Sequence, residues 1–199
     1  EYRQHLDPDR PTVGITFPRS YWLEHNTAHI EALVTAVEEL DANTVPFFCL
    51  RLPDARRGNP GMAQVLENLL RDDEGRCVVD TRVDVHGMSM TAGVPANADA
   101  YPNLGVSVLH ALTSYAPRAA WQATAQGMES MDVATQAAQP EFDGALITKL
   151  LATREVDEVD DLTGAVVPRM VPVPGRAQAM AELALSWARL ARTPAGQRK

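Results

Sequence analysis

The chain has 199 residues, 45% of them apolar and 22% charged, which is enough apolar material for one sizeable core and argues against wholesale disorder. Eighteen basic against 26 acidic residues leave a net charge of −8, which argues against a general binder of nucleic acid or anionic membrane. The longest apolar runs fall far short of the ~20 residues of a membrane span, and no basic-then-apolar signal leads the chain, so a reducing cytoplasm is the expected compartment. Cys49 and Cys77 flank or sit in strand-like runs. They read as buried thiols or as one disulfide, not as a secreted disulfide framework.

Thr12 to Phe17 reads as a first strand. Asn26 is a good helix cap, and Ile30, Leu33, Val34, Val37 and Leu40 then recur at three- and four-residue steps, the stripe of an amphipathic helix. Thr44 to Leu50 is a second strand, placed at an edge or starting late because Pro46 lacks a ladder donor. Met62, Val65, Leu66, Leu69 and Leu70 mark a second helix. The third strand lies somewhere in Cys77 to Val85, blurred by Asp80, Arg82 and Asp84. His86 to Gly105 is a long segment rich in Gly, Pro, Ala and Asn, a length that in a compact domain points to function or mobility. Gly105 to Leu112 is a fourth strand. Helices follow from about Pro117 and from Ser130 to Pro140, and Gly144 to Leu151 is a fifth strand. The acidic run Glu155 to Asp161 reads as a solvated loop, and Val166 to Pro174 as extended chain. A long helix from Arg176 ends near Pro194.

This alternation predicts an α/β fold, a doubly wound and mostly parallel sheet of flavodoxin-like or Rossmann-like type. Residues 1–174 form the domain of about five parallel strands, and 175–199 a C-terminal helix leading onward. Functional side chains are expected on loops beyond the carboxyl ends of the strands.

Few generic motifs are present. There is no Gly-x-Gly-x-x-Gly after strand one, no Walker loop and no Gly-x-Ser-x-Gly, so nucleotide binding and a serine nucleophile at Ser89 lack support. His25 and His29 are four apart but lack the metalloprotease glutamate. His86, where strand three meets the long loop, is placed to take a proton or hold a metal, or to bond loop backbone. His110, inside strand four, reads as structural. Glu141 and Asp143 sit on a tight turn before Gly144, where turn chemistry, cation binding and proton transfer are all open.

Three stretches carry a resemblance. Pro11 to Trp22 with Asn26-Thr-Ala-His29, then Gly127 to Gly144, then Trp187-Ala-Arg-Leu-Ala-Arg-Thr-Pro194 followed by Arg198-Lys199, stand in the order and spacing of one family. The chain resembles an internal segment of the large subunits of cobaltochelatases and their relatives, the H-type large subunits of magnesium chelatases. Trp22, the Asn26 wording and the Arg-Thr-Pro ending favour the cobalt branch. Met128-Glu-Ser lacks the usual Leu and Pro, and Asp80 to Asn103 matches poorly, so His86 is not carried over from the family.

The resemblance implies insertion of Co2+, as substrate metal, into a tetrapyrrole macrocycle, hydrogenobyrinic acid a,c-diamide in the cobalt branch. It implies AAA+ ATPase partner subunits that use ATP this segment does not bind, and contact with the remainder of the large subunit. Glu141, at the family's Pro-Glu-x-Asp-Gly glutamate, becomes the leading metal ligand and proton acceptor, and Asp143 organises the turn or touches substrate. Arg19 and Asn26 are the candidate macrocycle contacts, since guanidinium suits carboxylates. A magnesium-type segment and a non-catalytic binding or scaffold module are the alternatives, and the isolated segment is expected to be inactive.

Overall fold

The computed structural model describes residues 2–194 and residue 197; Arg198 and Lys199 of the third motif lie outside the described residues. Six strands form one sheet: β1 (Thr12–Pro18), β2 (Asn43–Cys49), β3 (Thr81–Asp84), β4 (Ser107–Ser114), β5 (Leu146–Val159) and β6 (Val166–Pro172). Their order is β2-β1-β3-β4-β5-β6. The first five run parallel, and β6 pairs antiparallel with β5. The helices are α1 (Arg19–Leu23), α2 (Ala28–Glu38), α3 (Met62–Leu70), α4 (Ala100–Leu104), α5 (Arg118–Ala123), α6 (Ser130–Val133), α7 (Gln139–Phe142) and α8 (Arg176–Arg192), with a π-helical turn, Ala134–Ala138, joining α6 to α7.

Two apolar layers cover the sheet. On one face α2 brings Ile30, Leu33 and Val37, and α8 brings Met180, Ala181, Ala184 and Leu185, against Val13, Ile15, Val83 and Leu109. The alanines of α8 let its backbone lie close. On the other face Met62, Leu66 and Leu70 of α3, one helical stripe, meet Val45, Phe47, Tyr101, Leu104 and Val108. Helices on both faces with this strand order make a doubly wound α/β fold, the flavodoxin-like alternative of the two expected. α8 packs into the same core as α2.

Three expectations need correction. The sheet has a sixth, antiparallel strand where Val166 to Pro174 read only as extended chain. β5 also runs on through the acidic stretch to Val159, so that stretch is in large part strand; its charges, and the prolines Pro168, Pro172 and Pro174 that follow, hid a hairpin whose partner strand lies at the sheet edge, where ladder bonds are needed on one side only. Helix α2 begins at Ala28 after Thr27, not at an Asn26 cap. Asn26 instead accepts the Met170 N–H of β6 through Oδ1 at 2.8 Å, while its own N–H donates to Tyr21 O at 2.8 Å. Pro46 does fall in an edge strand, β2. Among the described residues no helix is long and apolar enough to cross a membrane.

Candidate functional site

The strand order reverses direction of growth between β1 and β3, and at such a point the loops at the carboxyl ends diverge and leave a crevice. A cavity of about 480 Å3 lies there. Its walls include Pro18 at the end of β1 and Arg19 just past it, Cys49 at the end of β2 and Arg51 just past it, and His86 after β3. Tyr21, Asn26, Tyr115, Arg154 and Met170 complete the other side.

Beneath it is a buried charge cluster. Arg82 and Asp84 stand at alternate positions of β3, which projects both from one face, and His86 follows two residues beyond Asp84. Asp84 Oδ1 accepts from His86 Nδ1 at 2.6 Å and from the His86 N–H at 3.0 Å. Asp84 Oδ2 accepts from the Tyr101 hydroxyl at 2.7 Å and faces Arg82 Nη2 at 3.5 Å. The Arg82 guanidinium lies 4.2 Å over the Tyr101 ring. Arg82 is completely buried, and Asp84 and His86 nearly so. Burial alone would raise the Asp84 carboxyl, but His86 and then Arg82 hold it far below the usual carboxylate range. Burial alone would lower the His86 imidazolium, but the Asp84 charge overrides it and pushes it up to about 10. His86 therefore stands at neutral pH as a fixed cation at the cavity floor. His110, opposite Asp84 on β4, is buried, which lowers it.

Of the residues singled out from sequence, Arg19, Asn26 and His86 meet at this cavity. Glu141 and Asp143 do not line it. Glu141 is exposed on α7, which leads into the start of β5 and so lies at the opposite end of the sheet, as a residue entering a parallel strand must. Asp143 clamps the long loop: it accepts from the Ser89 hydroxyl at 2.7 Å, from the Met90 N–H at 3.1 Å, and from the Thr91 hydroxyl. His29 faces the core edge-on to Tyr21 while His25 is exposed, so the two do not form a pair. Cys49 and Cys77 are both free. Among the described residues no group of three or more His, Cys, Asp or Glu is placed to hold a metal.

Sequence reasoning missed Asp84, Arg82, Cys49, Arg51 and Arg154. One signal was available for the first two: ionisable residues at i, i+2 and i+4, separated by Val83 and Val85, share a face if the chain stays extended and need one another if that face is buried.

The geometry defines a doubly wound α/β domain with a cationic, apolar-walled crevice at its topological switch point. A model of the CobN/Magnesium Chelatase family matches residues 1–199. The chain belongs to that family. It is 27% identical over 198 residues, 99% of this chain, to an aerobic cobaltochelatase subunit CobN from a Sinorhizobium species, of which it covers 15%. It is 26% identical to the H-type magnesium-chelatase subunit of Rhodobacter capsulatus, covering 94% of this chain and 16% of that protein. Among solved structures it resembles the catalytic subunit of cobaltochelatase from Mycobacterium tuberculosis, with a TM-score of 0.71 and 27% identity over 92% of this chain and 15% of that one. The chain thus spans about 15% of the length of these relatives.

Proposed function

We propose that this chain is the α/β segment of a cobaltochelatase-type large subunit and that its switch-point cavity receives the carboxylate-bearing edge of a corrin precursor, hydrogenobyrinic acid a,c-diamide. The observation that carries this reading is the cavity's make-up. Arg19, Arg51 and Arg154, with the imidazolium of His86, outweigh the single carboxylate of Glu24, and Tyr21, Met88, Met90 and Met170 supply apolar wall. That combination suits a large apolar ring edged with carboxylates.

Inserting Co2+ requires that the ion shed water, that ring nitrogens lose protons, and that the ring be held meanwhile. The arginines serve the last need. His86, kept protonated by Asp84, supplies positive charge and is unsuited to taking a proton. Proton acceptance and metal contact fall to groups such as Glu141, an exposed carboxylate beside the fully presented Phe142, on a face that other parts of a large subunit would cover. ATP hydrolysis belongs to AAA+ partner subunits in this scheme. A magnesium-inserting segment is the second reading, favoured by the likeness to the magnesium-chelatase relative.

Two measurements test the reading. Tryptophan fluorescence titration should show the corrin precursor binding the chain, with Trp22, next to cavity-lining Tyr21, as reporter; Arg19→Glu should weaken it. Preferential binding of a porphyrin would favour the magnesium branch, and no binding of either would overturn the cavity's role. In a full-length subunit, Glu141→Gln should slow cobalt insertion while the tetrapyrrole stays bound.

A further inference from the structure

Cys49 closes β2 at the floor of the cavity. Its Sγ lies 3.9 Å from His86 Nε2, and His86 Nδ1 lies 2.6 Å from Asp84 Oδ1. Thiol, imidazole and carboxylate therefore stand in one line that ends at open space, because both Cys49 and His86 line the cavity. The ring cannot swing away without breaking its bond to Asp84, and Asp84 is itself held by Tyr101 and by the His86 N–H. Cys49 is 4% exposed, so reagents reach its sulfur by entering the cavity.

We propose that Cys49 is a nucleophilic thiol that undergoes thiol–disulfide exchange with a small disulfide bearing carboxylate groups. The proposal stands whether or not the cavity also takes a tetrapyrrole. Exchange needs a thiolate, a leaving thiolate and room for in-line approach. The Cys49 sulfur faces the outer ring nitrogen of His86 at 3.9 Å, so an imidazole held in place by Asp84 stands beside the sulfur during attack. Arg19, Arg51 and Arg154 around the cavity select for carboxylates on the incoming molecule. In the step, the Cys49 thiol releases its proton to solvent and the resulting thiolate sulfur attacks one sulfur of the disulfide. The S–S bond breaks, a mixed disulfide forms on Cys49, and the other half leaves as a thiolate that takes a proton from solvent. Cys49 is oxidised, and one sulfur of the reagent is reduced. The adduct fills the cavity.

Cys77 is the internal control: it is more accessible, and burial pushes its thiol up. The chain is incubated at neutral pH with glutathione disulfide, which is anionic, or with cystamine, which is cationic, and the adducts are located by peptide mass mapping. Cys49 is expected to react about tenfold or more faster than Cys77, and faster with glutathione disulfide than with cystamine. His86→Gln should slow Cys49 by about tenfold and leave Cys77 unchanged. Equal or faster reaction at Cys77 overturns the proposal, and a preference for cystamine at Cys49 overturns the assignment of the partner. Both comparisons use the unaltered chain, so they decide the matter even if His86→Gln fails to fold.

Discussion

His86 Nδ1 and Asp84 Oδ1 are 2.6 Å apart in the middle of the molecule, with Arg82 on the other side of the same carboxylate. One anion thus serves two cations, and all three are taken out of water. Removing the anion leaves two like charges buried without a counterion. Asp84→Asn should therefore destabilise the fold by about 3–5 kcal/mol, the range for breaking a buried pair. Urea unfolding checks this. A loss below about 1 kcal/mol would mean that water reaches the cluster and screens it.

The same cluster sets the response to pH. His86 is raised to about 10, so its stabilising contribution is complete below its ordinary value of 6.5 and is lost as pH climbs through that interval. His29 moves oppositely: burial lowers it to about 4, so the unfolded chain takes up a proton between 6.5 and 4 that the folded one refuses, and stability falls as pH falls there. Asp84, held far down, adds a loss at still lower pH. Stability should peak near neutrality. Urea midpoints measured across pH should show both limbs, with His86→Gln flattening the alkaline limb and His29→Leu the limb between 6.5 and 4.

Asp143 ties the loop after β3 to the turn before β5 through Ser89, Met90 and Thr91. Met90 also lines the cavity, so this carboxylate shapes the cavity from outside it. Asp143→Ala should cost about 1–3 kcal/mol and raise amide exchange across residues 89–92 while β1 stays protected. Uniform loss of protection would instead mark the turn as part of the global unfolding unit.

Asn26 joins the α1–α2 link to β6 by accepting the Met170 N–H. Asn26→Ala strands that buried donor, at about 1–3 kcal/mol. Asn26→Asp keeps an acceptor and should recover most of the loss, as thermal unfolding will show. Failure of the aspartate to recover it would place the effect in the backbone turn at His25, which has a φ of 52°.

Much of the architecture was legible because burial imposes a period. Ile30, Leu33 and Val37 mark a helix face whichever sheet they cover, and Pro46 marks an edge. β6 was not legible, because its pairing with β5 depends on a hairpin closed by the 160–165 turn and not on alternation of its own residues. The site was legible in part. Arg19, Asn26 and His86 sit on loops that any doubly wound sheet directs to one end, whereas Glu141 enters a strand and so faces the other.

Sequence by itself determined the class of fold and, through the motifs at Pro11–Trp22 and Gly127–Gly144, the family. Both are written in local patterns: apolar periodicity, turn residues, ordered words. Tertiary structure alone decided that Cys49, His86 and Asp84 form one line under a cavity, although thiol and imidazole are 37 positions apart in the chain. The physical reason is that a charge in a strand has no fixed meaning until its neighbours are known. Exposed, Asp84 would be a solvated carboxylate; buried between Arg82 and His86, it fixes the protonation of the residue that faces the cavity.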